Sequence, residues 1–170
     1  GGLGGGDVVA PGGAGGGDRG GACAGTAGTG ITDKAEEFKK DIDGYSAILL
    51  ESRAERLAEA FAERLHERVR KEFWAYVPNE ALDNEALIKE KYSGVRPAPG
   101  YPACPEHTEK KTIWELLDVQ ANTGIELTES MAMWPGAAVS GLYCSHPQWH
   151  DFVVGLIGSY HVQDHARRKG

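Results

Sequence analysis

The stretch "RPAPGYPACPEH", residues 96–107, sets an arginine, a tyrosine, a cysteine and a histidine among four prolines. Arg96 offers a forked cation suited to a carboxylate or a phosphate, and Tyr101 offers a flat face with a hydroxyl. Gly100 lets a ligand come close to the backbone. Pro97, Pro99, Pro102 and Pro105 push their neighbours toward extended or polyproline geometry. The segment should therefore form a stiff arm with few hydrogen bonds to itself, its backbone groups free for a partner. On these residues alone two readings stand side by side. One is a cradle for a small molecule that carries an acid group and an aromatic ring. The other is a rigid connection over a sheet edge, with Arg96 paired to a local carboxylate.

Other candidates are less specific. Cys104 and His107 stand as C-x-x-H, and Cys144 and His146 as C-x-H, so a Cys2His2 zinc site would assemble if the arm met a strand carrying the second pair. The spacing lacks paired CxxC knuckles, and buried thiols with satisfied histidines are the expectation. His150, His161 and His165 show no ligand spacing and are expected at the surface. Glu55, Glu59 and Glu63 fall one helical turn apart, which reads first as a solvated face. Three cysteines, Cys23, Cys104 and Cys144, are odd in number and sparse, as reduced thiols are. No G-x-S-x-G, P-loop, G-x-G-x-x-G or H-E-x-x-H pattern occurs, so hydrolase, nucleoside-triphosphate and dinucleotide readings lack direct support.

A net charge of -7, with most Lys and Arg residues interspersed with Glu, argues against a phosphate-neutralising nucleic-acid surface. No apolar run is long enough to span a bilayer, and the first residues have neither the basic start nor the apolar core of a secretory signal, so a cytoplasmic location is expected.

The elements that must position these residues follow from the pattern. Glycine fills 15 of the first 30 positions, and residues 1–30 read as a flexible Gly-rich segment that buries too little apolar area to offset ordering entropy. Residues 31–170 form the foldable domain. Asp33, with Glu36 three residues on, reads as a capping box opening a helical region that Gly44 divides in two. In the second helix Leu57, Phe61, Leu65, Val69 and Phe73 recur every four residues beside Ala54, Ala58 and Ala62, an apolar stripe that should pack along a sheet, and Pro78 marks its end. Glu67 and Lys71 add a weak i,i+4 pair. "NEALDNEALIKEKY" predicts a short helix. "EKKTIWELLDVQANTG" predicts a helix closed by Gly124, with Ile113, Leu116, Leu117 and Ala121 inward. The period then changes to two: "IELTESMAMW", "AAVSGLYCSH" and "DFVVGLIG" predict strands in successive hairpins, and "VQDHARRKG" a final helix.

Taken together, "RLAEAFAERLHERVRKEFW", "GVRPAPGYPACPEHTEKKTIWELL", "LTESMAMWPGAAVSGLYCSHP" and "DHARRKG" resemble the C-terminal activation domain of cobalamin-dependent methionine synthase. The resemblance runs nearly without gaps over residues 31–170. It implies an α+β fold, C-shaped, with a twisted antiparallel sheet, flanking helices and S-adenosylmethionine bound in an extended pose. In that family cobalamin is held by a neighbouring module, where it carries a methyl group from methyltetrahydrofolate to homocysteine and is occasionally oxidised to cobalt(II). Zinc belongs only to the parent enzyme's homocysteine module. The activation domain supplies S-adenosylmethionine for remethylation after reduction by a flavodoxin or flavoprotein reductase.

The resemblance makes Arg96 the holder of the methionyl carboxylate, Ala98 a source of backbone contacts, Tyr101 a pocket wall and Glu59 a carboxylate near the sulfonium. It matches Glu55 to a contact for the cobalamin module. Where the family has two aromatic residues after the "SHP" turn, this chain has Asp151 and Phe152, so one aromatic contact is lost. The family's earlier half-domain, which carries an aspartate on the ligand, has no counterpart in this sequence, and its C-terminus stops before the family's last helix. A fragment or a divergent gene model with weakened affinity is expected. No catalytic acid, base or nucleophile can be named, so the isolated chain is expected not to be catalytic by itself. The alternative function is a docking domain, for a cobalamin module or a flavodoxin-like reductase, that has lost ligand binding.

Overall fold

The computed structural model describes residues 19–146 and 155–169. A strand lies within the Gly-rich segment: β1, Gly20–Thr26, pairs antiparallel with β4, Ala138–Cys144, in the register Cys23↔Gly141. This corrects the reading of residues 1–30 as a wholly flexible segment. The physical reason is close approach. A Cβ on Gly21 would stand 2.8 Å from the Trp74 ring, and one on Gly25 would stand 3.1 Å from Phe61, so those positions are bare because aromatic rings lie on them. The glycines there serve packing.

Alternation along β1 divides the core in two. Ala22 and Ala24 face a cluster with Ile113, Leu117, Val119 and Ile125, while Cys23 faces Val69, Trp74 and Tyr143. The sheet is thus covered on one face by the long helix and on the other by α4, Glu109–Leu117, and α5, Val119–Thr123.

Because the rings occupy the glycine notches, Gly21→Ala should lower stability by about 1–3 kcal/mol through overpacking. Gly20, where a Cβ meets nothing within 4 Å, should tolerate alanine. Urea denaturation of both variants checks this; equal midpoints would remove the packing argument.

On the helical side, α1 spans Ile31–Lys40 and α2 spans Gly44–Arg68, the break falling at Gly44 as expected. Asp43 caps α2 by accepting from the Ser46 N–H at 3.0 Å. Asp33 is not a cap: α1 starts two residues earlier, after Gly30, and Asp33 lies in its first turn, where its charge suits the helix dipole.

The inner face of α2 also differs from expectation. Ala47, Ala54, Ala58, Ala62 and His66 are its buried residues, while Leu57 is 64% exposed and Phe73 50% exposed. Methyl groups allow the helix to sit close to a sheet of small residues; a leucine stripe would hold it off. The Glu67–Lys71 pair forms at 3.3 Å. A single π turn, Val69–Phe73, then adds a residue to the helical repeat, which turns two consecutive side chains, Val69 and Arg70, inward.

Beyond it α3, Asn84–Ile88, is capped by Asp83, whose side chain accepts from the Ala86 N–H at 2.8 Å. The next predicted helix breaks at Asp118, which adopts φ 44°, and Gly124 closes its second part. The break turns Leu116 and Ala121 outward, leaving Ile113, Leu117 and Val119 inside.

Strands β2, Glu126–Leu127, and β3, Met133–Trp134, make a short antiparallel hairpin. β4 pairs with β1 instead of continuing that hairpin, so the second predicted hairpin connection is replaced by a long-range pairing with the Gly-rich strand. Of "DFVVGLIG", residues 151–154 lie outside the described residues and 155–158 carry no strand. α6, Ser159–Lys169, is the expected final helix; His161 and His165 on it are exposed. Among the described residues no helix is long and apolar enough to cross a membrane.

Candidate functional site: a cleft under the proline arm

The proline arm begins as a third strand-like run against β4. Val95 and Cys144 exchange backbone hydrogen bonds at 2.9 and 3.1 Å, and the Leu142 N–H donates to the Pro97 carbonyl at 2.9 Å. At Gly141 a Cβ would lie 3.1 Å from that carbonyl, so this approach needs the missing side chain. From Pro97 the chain leaves the sheet and arches over its α2 face.

The arm then folds back on itself more than expected. The Gly100 N–H donates to the Cys104 carbonyl at 2.7 Å, and the Cys104 N–H to the Tyr101 carbonyl at 2.9 Å. Proline limits how many backbone groups can bond, but two proline-free pairs suffice to close a tight loop. Gly100 sits at φ +100° with the His107 ring 2.2 Å from any Cβ built there, so both conformation and space demand glycine. His107 is held in turn by Lys110, whose ammonium lies 3.1 Å from its Nδ1 and donates to the Met131 carbonyl at 2.9 Å.

Between arm, sheet and α2 lies a cleft of about 480 Å³, lined by Glu59 and Ala62 from α2, by Cys23 and Gly141 from the sheet, and by the run Arg96 to Ala103. A second depression, of about 800 Å³, continues from it along α2, lined by Ser52, Glu55 and Arg56 and sharing Glu59, Tyr101 and Met133 with the first. The fold thus brings Arg96, Ala98, Tyr101 and Glu59 to one cavity and places Glu55 in the adjoining one. Asp151 and Phe152 lie outside the described residues. Glu59 and Tyr101 are exposed and Ala98 is half-buried.

Arg96 is shared between protein and cleft. Its Nη2 donates to Glu63 Oε2 at 3.0 Å, while its Nη1 has no hydrogen-bond partner. The expectation that Glu63 lies on a solvated face is corrected here: its side chain is largely buried and turned to the arginine. Arg96 itself lines the cleft.

Behind Glu63 stands a second pair that sequence reasoning missed. Arg70, fully buried, donates from Nε to both oxygens of Glu80 at 3.0 Å and from Nη2 at 2.7 Å, with its guanidinium 4.4 Å from the Tyr92 ring centre. The sequence did carry a signal. The four-residue series Ala54, Ala58, Ala62 continues to His66 and Arg70, and a charge on an inward stripe must find a partner.

His66 is buried too, stacked on Tyr143 at 5.2 Å and edge-on to Tyr92 at 4.9 Å, its ring nitrogens without hydrogen-bond partners. Burial, aided by the Arg70 and Arg96 charges, pushes its pKa down from 6.5 to about 2. In the unfolded chain this histidine takes up a proton below 6.5, which the folded state refuses, so stability is intact above 6.5 and falls as pH drops toward 2. The slope is about 1.4 kcal/mol per pH unit, or about 2 kcal/mol by pH ~5. His66→Phe, which keeps a ring, should lose that part of the acid sensitivity. Urea midpoints measured at both pH values read it directly, and an unchanged slope would count against a neutral His66.

Among the described residues no three His, Cys, Asp or Glu side chains gather where they could hold a metal ion. Cys23 is buried against the sheet and its thiol is pushed up by burial, and Cys104 is raised by burial and by Glu109 and Glu106. Neither is poised as a nucleophile.

The open cleft of this α+β domain combines a stiff arm, a cation and an exposed carboxylate, groups suited to a small charged molecule. The family model for the vitamin B12 dependent methionine synthase activation domain matches residues 3–170, and the chain belongs to that family. Among solved structures it is similar to one described as the MetH reactivation domain bound to AdoHcy, at 59% identity and a TM-score of 0.84, over 88% of this chain. The match covers 46% of that chain, so this sequence spans about half its length.

Proposed function

We infer that the cleft under the proline arm binds S-adenosylmethionine and presents it for reductive remethylation of cobalamin in a methionine synthase (5-methyltetrahydrofolate:homocysteine methyltransferase). The single observation that carries this reading is Arg96: a cation lining the cleft at the head of the arm, held in place by Glu63 through Nη2. A guanidinium at the wall of a cleft suits an amino-acid carboxylate, which its planar fork can meet with charge-assisted hydrogen bonds. The AdoHcy in the related structure supports the same ligand class.

In this reading Arg96 holds the methionyl carboxylate, the backbone about Ala98 meets the adenine, Tyr101 walls the pocket, and Glu59 offers negative charge to the sulfonium. Asp151 and Phe152 are assigned the positions of the family's enclosing aromatic pair. S-adenosylmethionine supplies the methyl group; the residues here bind and orient it and perform no bond-making step, so the chain by itself is not catalytic. Cobalamin belongs to a neighbouring module that docks on the face carrying Glu55, and the electron comes from a flavodoxin or flavoprotein reductase. The setting is cytoplasmic.

Titration calorimetry of the 170-residue chain with S-adenosylmethionine tests the reading. Heat of binding with one site per chain is expected, and its absence at millimolar ligand would leave only a docking role.

A further inference from the structure

Four charges of alternating sign lead from the cleft into the core. Arg96 meets Glu63 at 3.0 Å, Glu63 Oε1 faces Arg70 Nη1 at 3.9 Å, and Arg70 grips Glu80 through three donor contacts. The outer pair, Arg96 and Glu63, is about a quarter exposed, whereas of the inner pair Arg70 is sealed and Glu80 is about a tenth exposed. A surface ion pair has no need of such a support. Glu63 sits on α2, the most extensive rigid element of the fold, whereas Arg96 sits on the arm, so their contact ties the arm's cation to the helix.

We propose that Glu63 is the positioning residue of the ligand site: through its bond to Arg96 Nη2 it fixes the plane of the guanidinium at the wall of the cleft, in the orientation that meets the ligand's carboxylate, and the Arg70–Glu80 pair braces it from behind. The inference rests on the reading of the cleft given above and assigns its selectivity to a residue that need not touch the ligand. Arginine's fork is planar, so fixing one nitrogen fixes the direction of the others. A freely rotating guanidinium would lose that orientation to rotamer entropy on each binding event. Glu63 Oε1 and Arg70 Nη1 are both buried and without hydrogen-bond partners. At 3.9 Å they attract one another without a formed bond, which leaves the firm contact of Glu63 with Arg96 alone.

The test uses two ligands on the 170-residue chain: S-adenosylhomocysteine, which carries the amino-acid carboxylate, and 5′-methylthioadenosine, which lacks it. Glu63→Gln keeps the shape and removes the charge. It should weaken S-adenosylhomocysteine by about tenfold and leave methylthioadenosine within about twofold. A role in stability alone would weaken both ligands together. Placed on an Arg96→Ala background, Glu63→Gln should add nothing further, because its effect passes through that arginine. If the glutamine variant does not fold, Glu63→Asp, which keeps the charge but withdraws the carboxylate from Arg96, should show the same selective loss.

Equal losses for the two ligands, additive effects in the double variant, or undiminished preference in both Glu63 variants would each overturn the assignment. The two levels of the argument separate cleanly. A parent chain with no preference for the carboxylate-bearing ligand, or an Arg96→Ala chain that keeps it, overturns the cleft reading and this inference together. A preference erased by Arg96→Ala and retained by Glu63→Gln overturns the Glu63 role alone.

Discussion

Replacing Arg70 with alanine is expected to destabilise the fold by about 3–5 kcal/mol, the usual consequence of removing one partner from a buried ion pair. Arg70 is sealed from solvent and its three contacts with Glu80 are the only hydrogen bonds its side chain makes among the described residues. Truncation leaves Glu80, itself nine-tenths buried, without its cation, and opens a cavity beneath Tyr92. It also takes away the charge that Glu63 faces at 3.9 Å. Urea denaturation reads the loss as a lower midpoint with the slope nearly unchanged.

The paired variant Arg70→Met with Glu80→Leu should recover most of it, since neutral groups of similar volume carry no desolvation penalty. Recovery of stability without recovery of carboxylate selectivity would show that the pair's purpose lies at the cleft. An Arg70→Ala chain as stable as the parent would mean that the pair is not buried in solution.

Replacing Arg96 with alanine should weaken S-adenosylhomocysteine by roughly ten- to a hundredfold, equivalent to about 1.5–3 kcal/mol for one charge-assisted contact. The direction is fixed by the geometry. The guanidinium is the cation beside Ala98 and Gly100 on the arm, and its loss removes the charge that attracts the ligand's carboxylate. Lys110 also lines the cleft, but its ammonium is committed to His107 and the Met131 carbonyl and cannot take over. Methylthioadenosine should bind the variant as it binds the parent. Calorimetry with both compounds measures the difference, and equal affinity of parent and variant for S-adenosylhomocysteine would dissociate the arm from the ligand's acid end.

These two arginines mark the boundary between what residue order declares and what folding adds. Arg96 announced itself: a guanidinium at the head of a proline-stiffened arm, with a glycine and a tyrosine just beyond, is a local arrangement, and local arrangements survive being read one residue at a time. The helix breaks at Gly44 and Gly124 were equally local, because capping and left-handed backbone depend on a few neighbours. Family membership was legible as well, since long runs such as "LTESMAMWPGAAVSGLYCSHP" preserve order and spacing together.

The remaining features depend on partners far away in the chain. Glycine density reads as flexibility until Trp74 and Phe61 are seen resting on Gly21 and Gly25, and β1 exists because β4, more than a hundred residues later, supplies its hydrogen bonds. Leucine and phenylalanine outrank alanine in any count of hydrophobicity, yet a sheet of small residues selected the alanine side of α2 because only methyl groups permit that closeness.

The amino-acid sequence by itself determined the class of fold, the family and the stiff arm whose residues line the cleft. Tertiary structure alone decided which face of α2 is buried, that Glu63 turns to Arg96 instead of to water, and that Arg70 and Glu80 stand behind it. The reason is physical: caps, turns and stiff arms are governed by energies within a few residues, whereas burial and charge pairing are settled by whatever surface the rest of the chain brings up against them.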